Sequence, residues 1–176
     1  MQYKNINLRA LELEDLEFLY LWENNPEVWQ ISNTYAPFSK YILRKYLEDS
    51  HLDIYQTKQL RMVIELVGQN GVRPIGAVDL FDFDPHHLRA GIGILIADKS
   101  ERKKGYGKTA LKLLIDYGFD ILKLHQLYCN ITISNKGSLD LFKKMGFSII
   151  GLKKEWTKTT EGWTDEYLLQ LINHRA

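Results

Sequence analysis

The spacing of apolar positions divides the chain into strand-like and helix-like stretches. Ile6-Asn-Leu-Arg-Ala10 alternates apolar with polar residues, the period of a half-buried strand. Glu14 and Asp15 then open a helical pattern that puts Leu16, Leu19, Tyr20 and Trp22 on its inner side. It stops near Asn24-Asn25-Pro26, because proline and the residue before it resist helical geometry. A second helix is predicted over about Lys40 to Asp49, with Ser39 as its N-cap. Leu60 to Val67 reads as the next strand, Gln69-Asn-Gly71 as a hairpin turn and Pro74 to Phe83 as the antiparallel partner. Asp84-Pro-His-His87 turns the chain into a further strand, Arg89 to Ala97, so the strands form a meander.

The stretch from Gly91 to Leu122 carries the most information. Gly91 to Ala97 is a short run rich in branched apolar residues, the pattern of a largely buried strand. From Thr109 to Leu122, spacings of three and four place Leu111, Leu114, Ile115, Gly118 and Leu122 on one helical face. Between them lies Arg102-Lys-Lys-Gly-Tyr-Gly-Lys108, with Gly105 and Gly107 at the mouth of the helix. Closely spaced glycines let backbone N–H groups converge, and a helix N-terminus adds unpaired donors and partial positive charge. With Arg102, Lys103, Lys104 and Lys108 alongside, the loop suits a phosphate or pyrophosphate; an ordinary solvated turn is the alternative.

Three phosphate-loop patterns compete for these residues. A Walker A loop finds its second half in Gly107-Lys108-Thr109, but Arg102 stands where its first glycine belongs. A dinucleotide fingerprint matches as Gly105-x-Gly107-x-x-Ala110, yet the polar segment Asp98 to Lys104 separates it from the strand. No acid lies between Asp120 and Asp140 to take a ribose hydroxyl. The third pattern, Gln/Arg-x-x-Gly-x-Gly/Ala, fits without exception as Arg102-x-x-Gly105-x-Gly107.

Beyond the helix, Gln126 to Thr132 reads as a strand that a crossover places parallel to Gly91 to Ala97. Asn135-Lys-Gly-Ser138 leads into a short helix, Leu139 to Met145, closed by Gly146. Ser148 to Lys153 and Trp163 to Ile172 finish the chain as strands. At 176 residues, with no linker or repeat, one α+β domain spanning 1–176 is expected.

Composition narrows the chemistry. The net charge of +1 gives no preference for nucleic acid or a membrane. Its distribution is uneven: acids outnumber Lys and Arg nine to three from Glu12 to Asp53, whereas Lys99 to Lys112 holds six bases against one Glu. One region is suited to a cation and the other to an anion, though solvated helix faces give the same pattern. The single Cys129 excludes an internal disulfide and a cysteine-based metal site, and no metal is expected. It lies in an apolar run, as a buried thiol would, and points to a reducing compartment. No run of 18 apolar residues occurs, so a cytoplasmic protein is the expectation.

The Arg102-x-x-Gly105-x-Gly107 loop resembles the acetyl-CoA pyrophosphate loop of the GCN5-related N-acetyltransferases. The order of elements is similar to that fold over nearly the whole chain. A second motif, Asn135-x-x-Ser138-x-x-x-Phe142-x-x-x-Gly146-Phe147, resembles a segment of the ribosomal-protein (RimJ/RimL-like) and spermidine acetyltransferase branches. The resemblance implies an α+β fold with a mixed central sheet of about six to seven strands, splayed between the fourth and fifth and flanked by about four helices. It implies acetyl-CoA as co-substrate, bound in the splay, with pantetheine pairing to backbone of Ile94, Leu95 and Ile96. The diphosphate would rest on the amides of Lys104, Gly105, Tyr106, Gly107 and Lys108, with Arg102 and Lys103 adding charge. Asn135 would hydrogen-bond pantetheine, or cap the helix, or both; Ser138 would sit beside it, and Phe142 would line the thioester channel.

Direct transfer requires a neutral amine and help for the departing thiolate. Many relatives supply that help with a tyrosine, but the aligned position here is Phe142, which has no proton to give. Relatives often draw a glutamate base from the central strands, and Arg89 to Ala97 contains none. Asp79 and Glu23 are the candidate bases, and strand alternation alone leaves open which face Asp79 takes. The resulting expectation is transfer of an acetyl group to a primary amine: a polyamine or similar small cation, or a protein N-terminus. The alternative is a non-catalytic acyl-CoA-binding regulator, with a P-loop nucleotide hydrolase behind it. A homo-oligomer, dimer or higher, is implied by the resemblance.

Overall fold

The computed structural model describes residues 1–174 apart from Asn33, Tyr35 and Asn70, and leaves the side chains of Gln30, Ile31 and Ser32 undescribed. An eight-stranded mixed sheet organises the chain. Its strands are β1 (Gln2–Tyr3), β2 (Ile6–Ala10), β3 (Leu60–Gly68), β4 (Gly71–Asp84), β5 (Arg89–Ile96), β6 (Gln126–Thr132), β7 (Ser148–Thr159) and β8 (Gly162–Ile172). They lie in the order β1-β2-β3-β4-β5-β6-β8-β7. The expected six to seven strands become eight because the two-residue β1 adds to β2 at the edge.

All neighbours are antiparallel except β5 and β6, which run parallel and pair only from Arg89–Gly91 to Gln126–Tyr128. Beyond Gly91 and Tyr128 the two strands part, the splay that the resemblance implies. The hairpin between β3 and β4 has Gly68 opposite Gly71; the turn residue Asn70 lies outside the described residues.

Six α-helices occur among the described residues: α1 (Leu16–Glu23), α2 (Pro26–Ser32), α3 (Lys40–Glu48), α4 (Ile54–Thr57), α5 (Tyr106–Asp116) and α6 (Lys136–Lys144). Two were not legible as helices. Pro26 ends α1 but begins α2, since the first helical position needs no N–H donor, and Asn25 Oδ1 accepts from the Glu27 amide at 3.0 Å to start the turn. The four-residue α4 is too short for a period, and only Asp53, capping Tyr55 and Gln56, marks it. α3 is capped by Ser39, whose side chain accepts from the Ile42 amide, as expected. α5 begins three residues before Thr109, at the glycine loop itself, and passes into a π-helical turn over Tyr117–Ile121.

Two apolar clusters bind the layers. On one face of the sheet, Met62, Ile64, Val78, Leu80 and Ile92 pack with Leu111, Leu114 and Ile115 of α5 and Leu139 and Phe142 of α6. On the other, Val63 meets Leu16, Leu19, Leu43 and Leu47, joining α1 and α3. Burying these apolar side chains contributes about 1.5–3 kcal/mol each. No described helix is long and apolar enough to cross a membrane.

Candidate active site

Because strand residues alternate between faces, register assigns each side chain to a layer. Arg61 pairs with Asp79, Asp79 with Gly93, and Phe81 with Gly91, which is opposite Tyr128. Arg61, Val63, Asp79 and Phe81 therefore share the face covered by α1 and α3. Two residues along β6 from Tyr128, Asn130 lies on that same face, as do Thr132, Glu166 and Lys153 by their pairing. Leu127, Cys129 and Ile131 point to the opposite, α5/α6 face and are buried there. The splay thus opens a cleft of about 640 Å³ with different chemistry at its two faces.

On the α1 face, Arg61 joins the two candidate bases. Its Nη1 donates to Glu23 Oε1 at 2.6 Å and its Nε to Asp79 Oδ1 at 2.6 Å. The three side chains are only 15–22% exposed, and the guanidinium lies 5.9 Å from the Tyr46 ring centre. Burial works to lower the Arg61 pKa, but Asp79, Tyr46 and Glu23 outweigh it and hold the guanidinium above its ordinary value. Asp79 therefore faces the cleft, and each carboxylate keeps a second oxygen beyond the one given to arginine. Phe81 also lines this wall, and its ring crosses Gly91 so closely that a Cβ there would lie 2.2 Å from it. Glycine at 91 is what lets the ring lie against β5.

Across the splay stands a second charged group, which sequence reasoning missed. Lys153 Nζ donates to Asn130 Oδ1 at 2.7 Å and to Glu166 Oε1 at 3.1 Å. The same ammonium lies 4.7 Å from the ring centre of Trp156.

At the α5/α6 face, Asn135, Ser138 and Phe142 recur at spacings of three and four along α6, and all line the cleft. Asn135 Oδ1 accepts from the Ser138 amide at 3.1 Å, so the cap role is present, with its amide nitrogen left over. Phe142 is 2% exposed and packs edge-on to Phe147, centroids 5.1 Å apart. Ile94 and Leu95 line the cleft along the free edge of β5; Ile96, at its end, accepts from Arg102 Nε at 2.8 Å.

The glycine loop lies past the end of β5, outside the lining of the cleft itself. Gly105 is the N-cap of α5 at φ +87°, with nothing within 4 Å of where a Cβ would stand. Its requirement is conformational. Gly107 is different: an added Cβ would meet Ile94, Ile96 and Leu141 at ordinary distances of 3.6–3.7 Å, so space alone does not demand glycine there. Nor are all the cations free. Lys104 is bound to Glu101 at 3.0 Å, and Lys104 and then Arg73 hold the Glu101 carboxyl below its ordinary range. Lys103 and Lys108 are exposed at the loop.

Two tyrosines near the site are occupied with packing. Tyr106 lies against the main core, and Tyr128 stacks edge-on to Phe81 while donating to Asp82 at 3.2 Å. Cys129 lines the cleft, but burial pushes its thiol up to about 12, which leaves it a poor nucleophile.

Comparison with known proteins identifies the family and the fold. The family model of the acetyltransferase (GNAT) domain matches residues 5–148. The spermidine N(1)-acetyltransferase of Escherichia coli K12 is 31% identical over 147 residues, covering 84% of this chain and 75% of that protein. Among solved structures, the Vibrio cholerae spermidine N-acetyltransferase in complex with CoA and spermine superposes with a TM-score of 0.84 at 27% identity, covering 96% of this chain and 95% of the other. A dodecameric structure of the Vibrio cholerae enzyme matches with a TM-score of 0.77 at 26% identity, covering 96% and 94%. On sequence and fold together, the chain belongs to the GNAT acetyltransferase family and is an N-acetyltransferase.

Proposed function

We propose that this protein transfers the acetyl group of acetyl-CoA directly to a primary amine, either of a polyamine or similar small cation or of a peptide N-terminus. One observation carries the reading: the β5–β6 splay joins a face bearing the α6 motif and the α5 N-terminus to a face where two carboxylates flank Arg61. The α5 end suits a diphosphate through the unpaired amides of its first turn, Lys103 and Lys108. The free edge of β5 at Ile94 and Leu95, with Asn135 opposite, suits the amides of pantetheine. Acetyl-CoA supplies the activated acyl group.

The chain's own task is to prepare the amine. An incoming ammonium meets the second oxygens of Asp79 and Glu23, which hold it and accept the proton it must lose. Arg61 keeps both carboxylates in place and offsets their mutual repulsion. The new N–C bond then forms as the C–S bond breaks, and the thiolate takes up a proton. Phe142 gives none, so Ser138 or water is left for that step. Phe142 is also the observation that favours the second reading, a non-catalytic acyl-CoA-binding regulator.

We read residues 1–176 as one such domain, working in the cytoplasm, where a free Cys129 stays reduced. Assembly into an oligomer is part of the proposal, motivated by the dodecameric relative. The test is release of free thiol from acetyl-CoA with spermidine, spermine and N-terminal peptides. Amine-dependent release is expected; acetyl-CoA binding without turnover on any of them would favour the regulator.

A further inference from the structure

The Lys153 group is built like a receptor for an alkylammonium. A carboxylate (Glu166), an amide oxygen (Asn130) and an indole face (Trp156) converge on one aliphatic ammonium, the combination that recognises such cations. Neighbouring strands supply the parts: Asn130 from β6, Glu166 from β8, Lys153 and Trp156 from β7. Glu166 is 8% exposed, so its charge requires a cation partner, whereas Trp156 is 60% exposed. The position of Trp156 is produced by a local distortion. The register of β7 against β8 breaks between Lys153 and Thr157, Glu155 takes φ +48°, and its amide donates to Asp165 at 2.8 Å. A non-glycine residue held at that φ costs roughly 1–2 kcal/mol.

We infer that Asn130, Trp156 and Glu166 form a second ammonium subsite of the acceptor cleft, which Lys153 fills as a tethered competitor until the remote ammonium of a diamine or polyamine displaces it. The inference rests on the acetyltransferase reading and narrows its acceptor. The first ammonium goes to Asp79 and Glu23, and the second, across the splay on the same face, goes to Glu166. Displacement costs little desolvation, because the 27% exposed side chain of Lys153 reaches water by rotating outward. Lys153 therefore sets selectivity: it weakens binding of amines with two charges and leaves those with one largely unaffected.

The test compares spermidine with n-butylamine by calorimetry on the full chain, wild type and Lys153→Met, the methionine keeping the apolar stem without the charge. The ratio of spermidine to butylamine affinity is expected to rise about three- to tenfold in Lys153→Met. Adding Trp156→Ala to that variant should reverse most of the gain. In wild-type protein, spermidine should shift the Trp156 indole N–H resonance and butylamine should not, a readout that does not depend on the variants folding. An unmoved or lower ratio, or spermidine bound with the indole resonance in place, overturns the inference. A parallel CoA titration separates the two levels: absence of CoA binding defeats the acetyltransferase reading, whereas CoA binding with no selectivity change defeats only the subsite.

Discussion

Gly105→Ala separates the fold's need for this residue from the ligand's. At φ +87° an L-residue pays about 1–2 kcal/mol, and since an added Cβ meets nothing within 4 Å, that backbone strain is the whole structural penalty. For a chain of this size it lowers Tm by about 2–8 °C. The ligand effect is larger. If alanine relaxes toward negative φ, the first turn of α5 reorients and at least one amide aimed at the diphosphate is lost. A hydrogen bond to a charged group is worth roughly 1.5–3 kcal/mol, so the CoA Kd should rise about ten- to a hundredfold. Pantetheine has no diphosphate, and its affinity should stay within about twofold. Calorimetry with both ligands, alongside thermal denaturation, makes the comparison. A lowered Tm with unchanged CoA affinity, or equal losses for CoA and pantetheine, would refute the placement of the diphosphate at this helix end.

Three further outcomes are expected. Arg61→Met leaves Glu23 and Asp79 facing each other without their shared cation, which should cost about 2–3 kcal/mol in urea denaturation and lower kcat/KM for the amine at least tenfold. Phe142→Tyr should raise kcat about tenfold or more while acetyl-CoA KM changes little, if the departing sulfur lacks a good proton donor; activity that is absent before and after would favour the regulator. Cys129, its thiol pushed up to about 12, should resist a disulfide thiol reagent in the native state near pH 8 and react fully once unfolded. The unfolded thiol ionises near 9, so above that pH the unfolded state binds fewer protons, and stability contributed by the buried thiol is present below about 9 and declines between 9 and 12.

The sequence made legible what local chemistry determines. The α5 helix and the strand before it followed from spacing, and Ser39 and Asn135 were recognisable as caps because a cap acts over three residues. The short α4 and the reuse of Pro26 as a helix start were hidden, since a single turn has no period and proline reads the same at a stop and a start. At the site, Asp79 and Glu23 were found as isolated acids, but not that Arg61 binds them together, a contact between α1, β3 and β4 that depends on register. The alternation of β3 carried a signal: Arg61 occupies the face of Val63, where an unpaired charge would be costly. Lys153 and Glu166 were missed because their pairing depends on the register of the β7–β8 hairpin, which breaks just after Lys153, and Asn130 joins them only because β8 inserts between β6 and β7. Of the two loop glycines, Gly105 is required by its own conformation, whereas at Gly107 the surrounding protein leaves ordinary room for a Cβ, and neither property was visible in the spacing.

The central claim is that coenzyme enters the β5–β6 splay with its diphosphate on the first turn of α5. Backbone amide resonances followed during a CoA titration test it most directly. The account predicts the largest shifts at Lys104 to Lys108 and along Ile94 to Ile96, with the Lys104 to Lys108 shifts absent when pantetheine replaces CoA. Saturable binding that leaves those amides unmoved, or shifts that are the same for both ligands, would contradict it.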